Sequence, residues 1–295
     1  MYYSAYQLTI ASELPLPELV QVNGTQTDVT IRFDNVAENG LADGEQLGPF
    51  LWAAPNTLWL QVPNVARFLV RNGNEIIIDP ADGIDDDSIR VFLLGSAFGA
   101  LLFQRGLLVI HGNAVRIGDE CLICVGPSGA GKSTLAAAFM QRGFDVLADD
   151  VVPVNDAGLA LPGFPRIKLW QDAAEQFEIV TDDLRRIRPE MNKFNLPVNG
   201  VVQQALPIRW IYILGSDHID EITFEAINGM AKFMPLQNNT YRAKFLHGMQ
   251  LKSQHLALCG KLASKIRLSR LTRPKLGFTA NAMVDAILKD IEVNP

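Results

Sequence analysis

Four short segments in the first third of the chain, 7–10, 28–33, 57–62 and 75–79, alternate polar with apolar residues or carry brief β-branched runs. They are separated by Asn, Gly, Pro and Asp. Period-two patterning bounded by turn formers predicts strands, so residues 1–88 read as a small β-rich module. The pattern then changes. Asp85-Asp86-Asp87-Ser88 has the composition of an acidic turn and helix cap, and 89–104 is apolar almost throughout, as in a largely buried helix. Two strands follow, 107–117 and 120–125. A run of helix formers, 134–140, ends at Gln141-Arg142-Gly143, and a further strand, 144–148, delivers Asp149 and Asp150. Strands at 210–214 and 221–225 and helices over 241–265 and 280–291 complete an α/β pattern for 89–295, the second predicted domain.

Between the strand 120–125 and the helix 134–140 lies Gly126-Pro127-Ser128-Gly129-Ala130-Gly131-Lys132-Ser133-Thr134, which fits G-x-x-x-x-G-K-[ST] at every fixed position. A strand, a glycine-rich turn and a helix N-terminus in that order form a phosphate cradle. The glycines let successive backbone N–H groups turn inward, Lys132 can reach the outer phosphates, and the Ser133 hydroxyl can ligate Mg²⁺. Residues 126–134 are therefore the predicted binding site for ATP with Mg²⁺.

Gly118-Asp119 suits a two-residue hairpin turn joining the strands on either side. Pairing Ile117 with Glu120 then puts His111 opposite Gly126, beside the predicted phosphates. Asp149 and Asp150, as strand neighbours, point to opposite faces and have different jobs. In phosphoryl transfer one carboxylate accepts the hydroxyl proton while another holds Mg²⁺, and the residues alone leave open which does which. A Walker-B-like metal aspartate with a simple turn cap would equally suit a slow regulatory ATPase. Cys121-x-x-Cys124 has redox spacing, yet residues three apart on a strand face opposite sides, so both cysteines read as core.

Composition narrows the partners. With 48% hydrophobic and 20% charged residues the 295-residue chain is a globular protein, and a net charge of −6 without clustered Lys, Arg and aromatics argues against nucleic acid. Three cysteines give no disulfide framework and favour a reducing, cytoplasmic setting. The longest apolar stretch, 91–103, is shorter than the ~20 residues that span a bilayer, so no membrane partner is expected. A homo-oligomer is left open.

Ile110-His111-Gly112, the loop Gly126-x-x-Gly129-x-Gly131-Lys132-Ser133, Arg142-Gly143 and Ala148-Asp149-Asp150, at these separations, resemble the catalytic domain of bacterial HPr kinase/phosphorylase over roughly 107–155. The resemblance implies a P-loop kinase core akin to that of phosphoenolpyruvate carboxykinase, and phosphorylation of a protein serine. Asp149 would be the general base with His111 beside it, and Ser133 would bind Mg²⁺, leaving Asp150 as a second metal carboxylate. With Leu14-Pro15-Leu16-Pro17-Glu18-Leu19 and the segment 162–170, the whole chain is more similar to the HPr-kinase-like proteins of lasso-peptide biosynthesis, some of which phosphorylate a C-terminal serine. It departs from the regulatory enzyme in its N-terminal module and at Phe164-Pro165-Arg166-Ile167-Lys168, which replaces a glutamate- and arginine-containing signature. Arg166, and Lys193 in the polar stretch 188–193, are candidate clamps on substrate phosphate. A protein or peptide serine kinase is the expectation, with a nucleotide-dependent regulatory ATPase or a small-molecule kinase as alternatives.

Overall fold

The computed structural model describes residues 1–24, 26–188, 190–198 and 202–294. It is a mixed α/β protein built on two large mixed sheets. All four segments expected as strands in the N-terminal region are strands: Leu8–Ser12, Val29–Phe33, Thr57–Val62 and Glu75–Pro80. They lie in one nine-stranded sheet. Leu8–Ser12, Val29–Phe33 and Glu75–Pro80 run parallel, while Glu75–Pro80, Ala66–Arg71, Thr57–Val62 and Leu51–Ala54 form an antiparallel meander. Ile10, Ile31, Phe68 and Ile76 fill its inner face.

That face is covered by the helical run from Asp86 to Gln104, whose Leu94, Phe98 and Leu101 belong to the same core. Asp85 caps the run, its carboxylate accepting the Ser88 N–H at 2.8 Å. The middle turn, Leu93–Ala97, widens into a π-helix. A Cβ on Gly99 would lie 2.7 Å from the Tyr241 ring and one on Gly95 3.2 Å from its hydroxyl, so the two glycines make a notch for that side chain. Tyr241 in turn lines the candidate site.

In the second sheet the long strand Leu206–Asp217 runs parallel to Glu120–Val125 on one side and to Arg267–Pro274 on the other. Gly112–Ile117 and Val146–Asp149 extend it antiparallel. Helices Lys132–Gln141 and Ala280–Val293 share one core with Leu122, Cys124 and Tyr212, whereas helix Lys252–Ala263 shares the other with Cys121, Ile123 and Ile211. Cys121 and Cys124 thus lie on opposite faces as their spacing predicts. Burial pushes both thiols up, Cys124 to about 12, so neither ionises readily.

The hairpin has the predicted register, Ile117 opposite Glu120 and Gly112 opposite Val125. Its first strand is shorter than expected. At His111 the chain leaves this ladder, and Leu108–Ile110 pairs instead with Val152–Val154. The helical stretch expected over 241–265 is likewise two helices, Lys244–Gly248 and Lys252–Ala263, separated where Gln250 adopts a left-handed φ of 59°. A small antiparallel pair, Arg166–Trp170 with Lys193–Pro197, stands beside the second sheet.

Candidate active site

The segment 126–131 leaves strand Glu120–Val125 and enters helix Lys132–Gln141, the predicted order of elements. Gly126 has φ 150°, and a Cβ there would meet the Leu214 carbonyl oxygen at 2.9 Å. The loop thus begins by pressing its backbone against the neighbouring parallel strand, a position open only to glycine. The helix starts without a side-chain cap, so its first amides are left for another acceptor.

Lys132 is buried at the foot of the loop, its ammonium donating to the carbonyl oxygens of Gly126 at 2.9 Å and Pro127 at 3.1 Å. Burial lowers its pKa, against the opposing pull of Asp150 and Asp149. The Ser133 hydroxyl lies 3.0 and 3.2 Å from the two carboxylate oxygens of Asp149, at the end of strand Val146–Asp149. The backbone N–H of Lys168 donates to the same carboxylate at 2.8 Å.

Asp149 and Asp150 do not diverge as strand neighbours should. The strand ends at Asp149, and Asp150 takes a left-handed φ of 76°, so both residues line one cavity of about 720 Å³ with Lys132 and Ser133. A non-glycine residue held in this region stores backbone strain, which the contacts of the Asp150 side chain offset. Its carboxylate accepts from the Lys168 ammonium at 2.7 Å and lies 3.3 Å from His111 Nδ1, which is also 3.0 Å from the Asp150 carbonyl oxygen. Among the described residues the histidine therefore partners Asp150, whereas the family resemblance implied a place beside Asp149. The difference arises where the chain passes from one ladder to the other at His111, whose own N–H donates to the Asn239 carbonyl oxygen at 2.7 Å.

The two carboxylates differ in charge balance. Burial raises the pKa of Asp149, with Asp150 adding to the rise, against the Lys168 N–H and the Ser133 hydroxyl. Burial would raise Asp150 too, but the Lys168 ammonium and His111 outweigh it and hold that carboxyl far below the usual range. Asp149 is thus a half-buried carboxylate whose negative charge is undercompensated, and Asp150 one whose charge is balanced by Lys168 and His111.

Arg166 and Lys193 fare differently. Arg166 is buried, donating to Asn195 Oδ1 at 2.6 Å, 3.9 Å from Glu18, with its guanidinium over the Phe164 ring. That places it within an internal network and away from the cavity walls, contrary to a clamp on substrate phosphate. Lys193 lines the cavity above the Trp170 ring, 5.1 Å from its centroid. Burial lowers its pKa while Asp149 opposes the shift. Of the stretch 188–193 that contains it, Pro189 lies outside the described residues.

Three neighbours had no distinct signal in the sequence. Lys168 holds both aspartates, one by its backbone and one by its side chain. Tyr241 lies with its ring 5.8 Å from that of His111. Asn113 is fully buried and donates to the Lys132 carbonyl oxygen; a lone Asn in the apolar strand Gly112–Ile117 is the one feature that could have flagged it. A second cavity of about 610 Å³, walled by Thr240, Tyr241, Arg242 and Pro127, meets the first at His111, Asp150 and Ser128.

Among the described residues no group of three or more His, Cys, Asp and Glu side chains could hold a metal by itself. The pair that could contribute is Ser133 with Asp149, two hard oxygen donors in contact. Mg²⁺ characteristically takes one or two protein oxygens and completes its shell with phosphate oxygens and water, so the donor set fits Mg²⁺ arriving with a nucleotide. Bringing a cation to Asp149 would also relieve its uncompensated charge.

No family model matches the chain, and no curated protein matches it. Among solved structures it is similar to the Hpr(Ser) kinase/phosphatase from Coxiella burnetii at 12% identity and a TM-score of 0.31, over 63% of this chain and 96% of that one. A likeness this distant assigns neither fold nor activity. Among the described residues no helix is long and apolar enough to cross a membrane.

Proposed function

We propose that the protein is an ATP- and Mg²⁺-dependent phosphotransferase with a P-loop core that phosphorylates a serine-type hydroxyl of a protein or peptide. One observation carries this reading: Lys132, Ser133, Asp149 and Asp150 face a single cavity that opens, past Asp150 and His111, into a second one. The first cavity has the groups a triphosphate needs, and the second gives an acceptor its own approach to Asp150.

The loop amides and Lys132 bind and orient the phosphates, and Lys132 exchanges its hydrogen bonds to Gly126 and Pro127 for phosphate oxygens. Bound Mg²⁺ would supply charge neutralisation on those oxygens, held by Ser133 and Asp149. At the junction of the two cavities Asp150 holds His111 through its Nδ1, which leaves the other ring nitrogen as the proton acceptor. The acceptor oxygen forms its bond to the γ-phosphorus as the bond to the β–γ bridging oxygen breaks, ADP leaves, and the hydroxyl proton passes to His111. His111 and Lys168 each engage one oxygen of the Asp150 carboxylate, which thereby holds the imidazole in place. Lys193, across the first cavity, is placed to bind an outer phosphate oxygen. A flexible peptide or chain end can bring a hydroxyl to so recessed a site more readily than a folded surface can. A lasso-type precursor peptide ending in serine is the acceptor implied by the sequence resemblance.

Incubation with Mg-ATP and serine-containing peptides, read by mass spectrometry, tests the proposal. Addition of one phosphoryl group, lost when the peptide serine is replaced by alanine and lost in Lys132→Ala, is expected. ATP hydrolysis that is indifferent to every peptide would identify a regulatory ATPase instead.

A further inference from the structure

A third cavity, of about 310 Å³, lies on the other flank of the loop and has no part in the chemistry above. It shares Gly129, Gly131 and Thr134 with the phosphate-side cavity, so a single ligand can pass from one to the other along the loop backbone. Its far wall is Arg273, at the end of strand Arg267–Pro274, with Phe278 and Met283. We infer that this cleft holds the nucleobase of the nucleotide, stacked on Phe278, so that base recognition is separate from phosphate recognition; the inference rests on the phosphate-loop reading proposed above.

Four observations agree. The volume sits at the small end of ordinary ligand pockets, matched to a base and not to a second macromolecule. Phe278 is 42% exposed although it is a large aromatic residue. Its ring is held in place by an edge-to-face contact with Phe177 at 5.1 Å, leaving a preorganised surface for stacking. Among the described residues the Arg273 guanidinium has no carboxylate partner and donates only to the adjacent Pro274 carbonyl oxygen, so it can lie over a π-face or donate to ring nitrogens. Finally, Asp172 borders both cavities at their junction, where the ribose of a ligand spanning them would lie, and a carboxylate accepts from ribose hydroxyls.

Calorimetric titration of the full chain with Mg-ATP and, separately, with Mg-tripolyphosphate tests this. The parent should bind Mg-ATP at least about tenfold more tightly than tripolyphosphate, in keeping with one aromatic stack plus a cation contact. Phe278→Ala should lose most of that preference while keeping its affinity for tripolyphosphate, and retained binding also shows that the variant is folded. Phe278→Trp should restore the preference. If Phe278→Ala and Arg273→Met both keep the parent's preference, the base site is overturned and the phosphate loop stands. Binding of neither ligand by the parent overturns both readings.

Discussion

Asp149→Asn should raise the stability of the protein while abolishing its activity. The carboxylate sits between the Ser133 hydroxyl and the Lys168 N–H, and the amide can satisfy both, accepting from Lys168 through Oδ1 and donating to Ser133 Oγ. Little hydrogen bonding is lost. What is removed is a half-buried negative charge whose raised pKa records that desolvation and the nearby Asp150 outweigh the surrounding donors. At pH 7 that imbalance opposes folding, by about 1.4 kcal/mol for every tenfold gain in proton affinity on folding. Relief of a functional-site cost of this kind is typically about 1 kcal/mol, or ~2 °C in Tm for a chain of this length. The sign can be checked with pH. A carboxyl with a raised folded-state pKa binds its proton more tightly folded than unfolded, so the parent gains stability as pH falls through that pKa, down to the unfolded value near 3.9. The advantage of the variant should be full above the raised pKa and close towards pH 4. Thermal melts from pH 4 to 8, with and without Mg-ATP, measure both quantities, and the variant should also lose the Mg-ATP stabilisation of the parent. A lower Tm than the parent at pH 7 would refute the view of Asp149 as an undercompensated charge awaiting a cation.

Lys168→Met removes the ammonium that balances Asp150 and should cost about 2 kcal/mol at neutral pH, as for loss of one partner of a mostly buried pair. Because the Asp150 pKa is depressed in the fold, that contribution is present above the unfolded value near pH 4 and lost as pH falls further, so the melting curves of parent and variant should converge only in acid. Peptide phosphorylation by this variant should fall with nucleotide binding largely retained, which separate kcat and KM measurements would reveal. Arg166→Leu should cost about 2 kcal/mol by removing the donor to Asn195, while Glu18 keeps its ion pair with Arg90, seen as a lower Tm with the Mg-ATP shift unchanged; a selective loss of nucleotide or peptide affinity would return Arg166 to the site.

Much of the candidate site was legible because it is written in local terms. The spacing from Gly126 to Ser133 and the Gly118-Asp119 turn each specify a backbone path within a few residues, and the hairpin register followed from the turn alone. Alternation likewise marked the strands of the N-terminal sheet, since period two is what a half-buried strand requires. The partners of the aspartates were a different matter. Strand periodicity sent Asp149 and Asp150 to opposite faces, but a left-handed turn at Asp150 brings both to one cavity, and no local signal announces it. His111 meets Asp150 because the chain crosses from one ladder to another there, and Lys168 reaches both aspartates from the separate pair of strands Arg166–Trp170 and Lys193–Pro197. Arg166 carries the same charge as Lys193, yet Glu18, from the distant N-terminal region, draws it into the interior. The sequence by itself determined the path of the loop 126–131 between its strand and its helix, because short-range sterics and periodicity govern that. Which charge meets which was decided only in the tertiary structure, where burial and the nearest counter-charge set the balance and both depend on segments far apart along the chain.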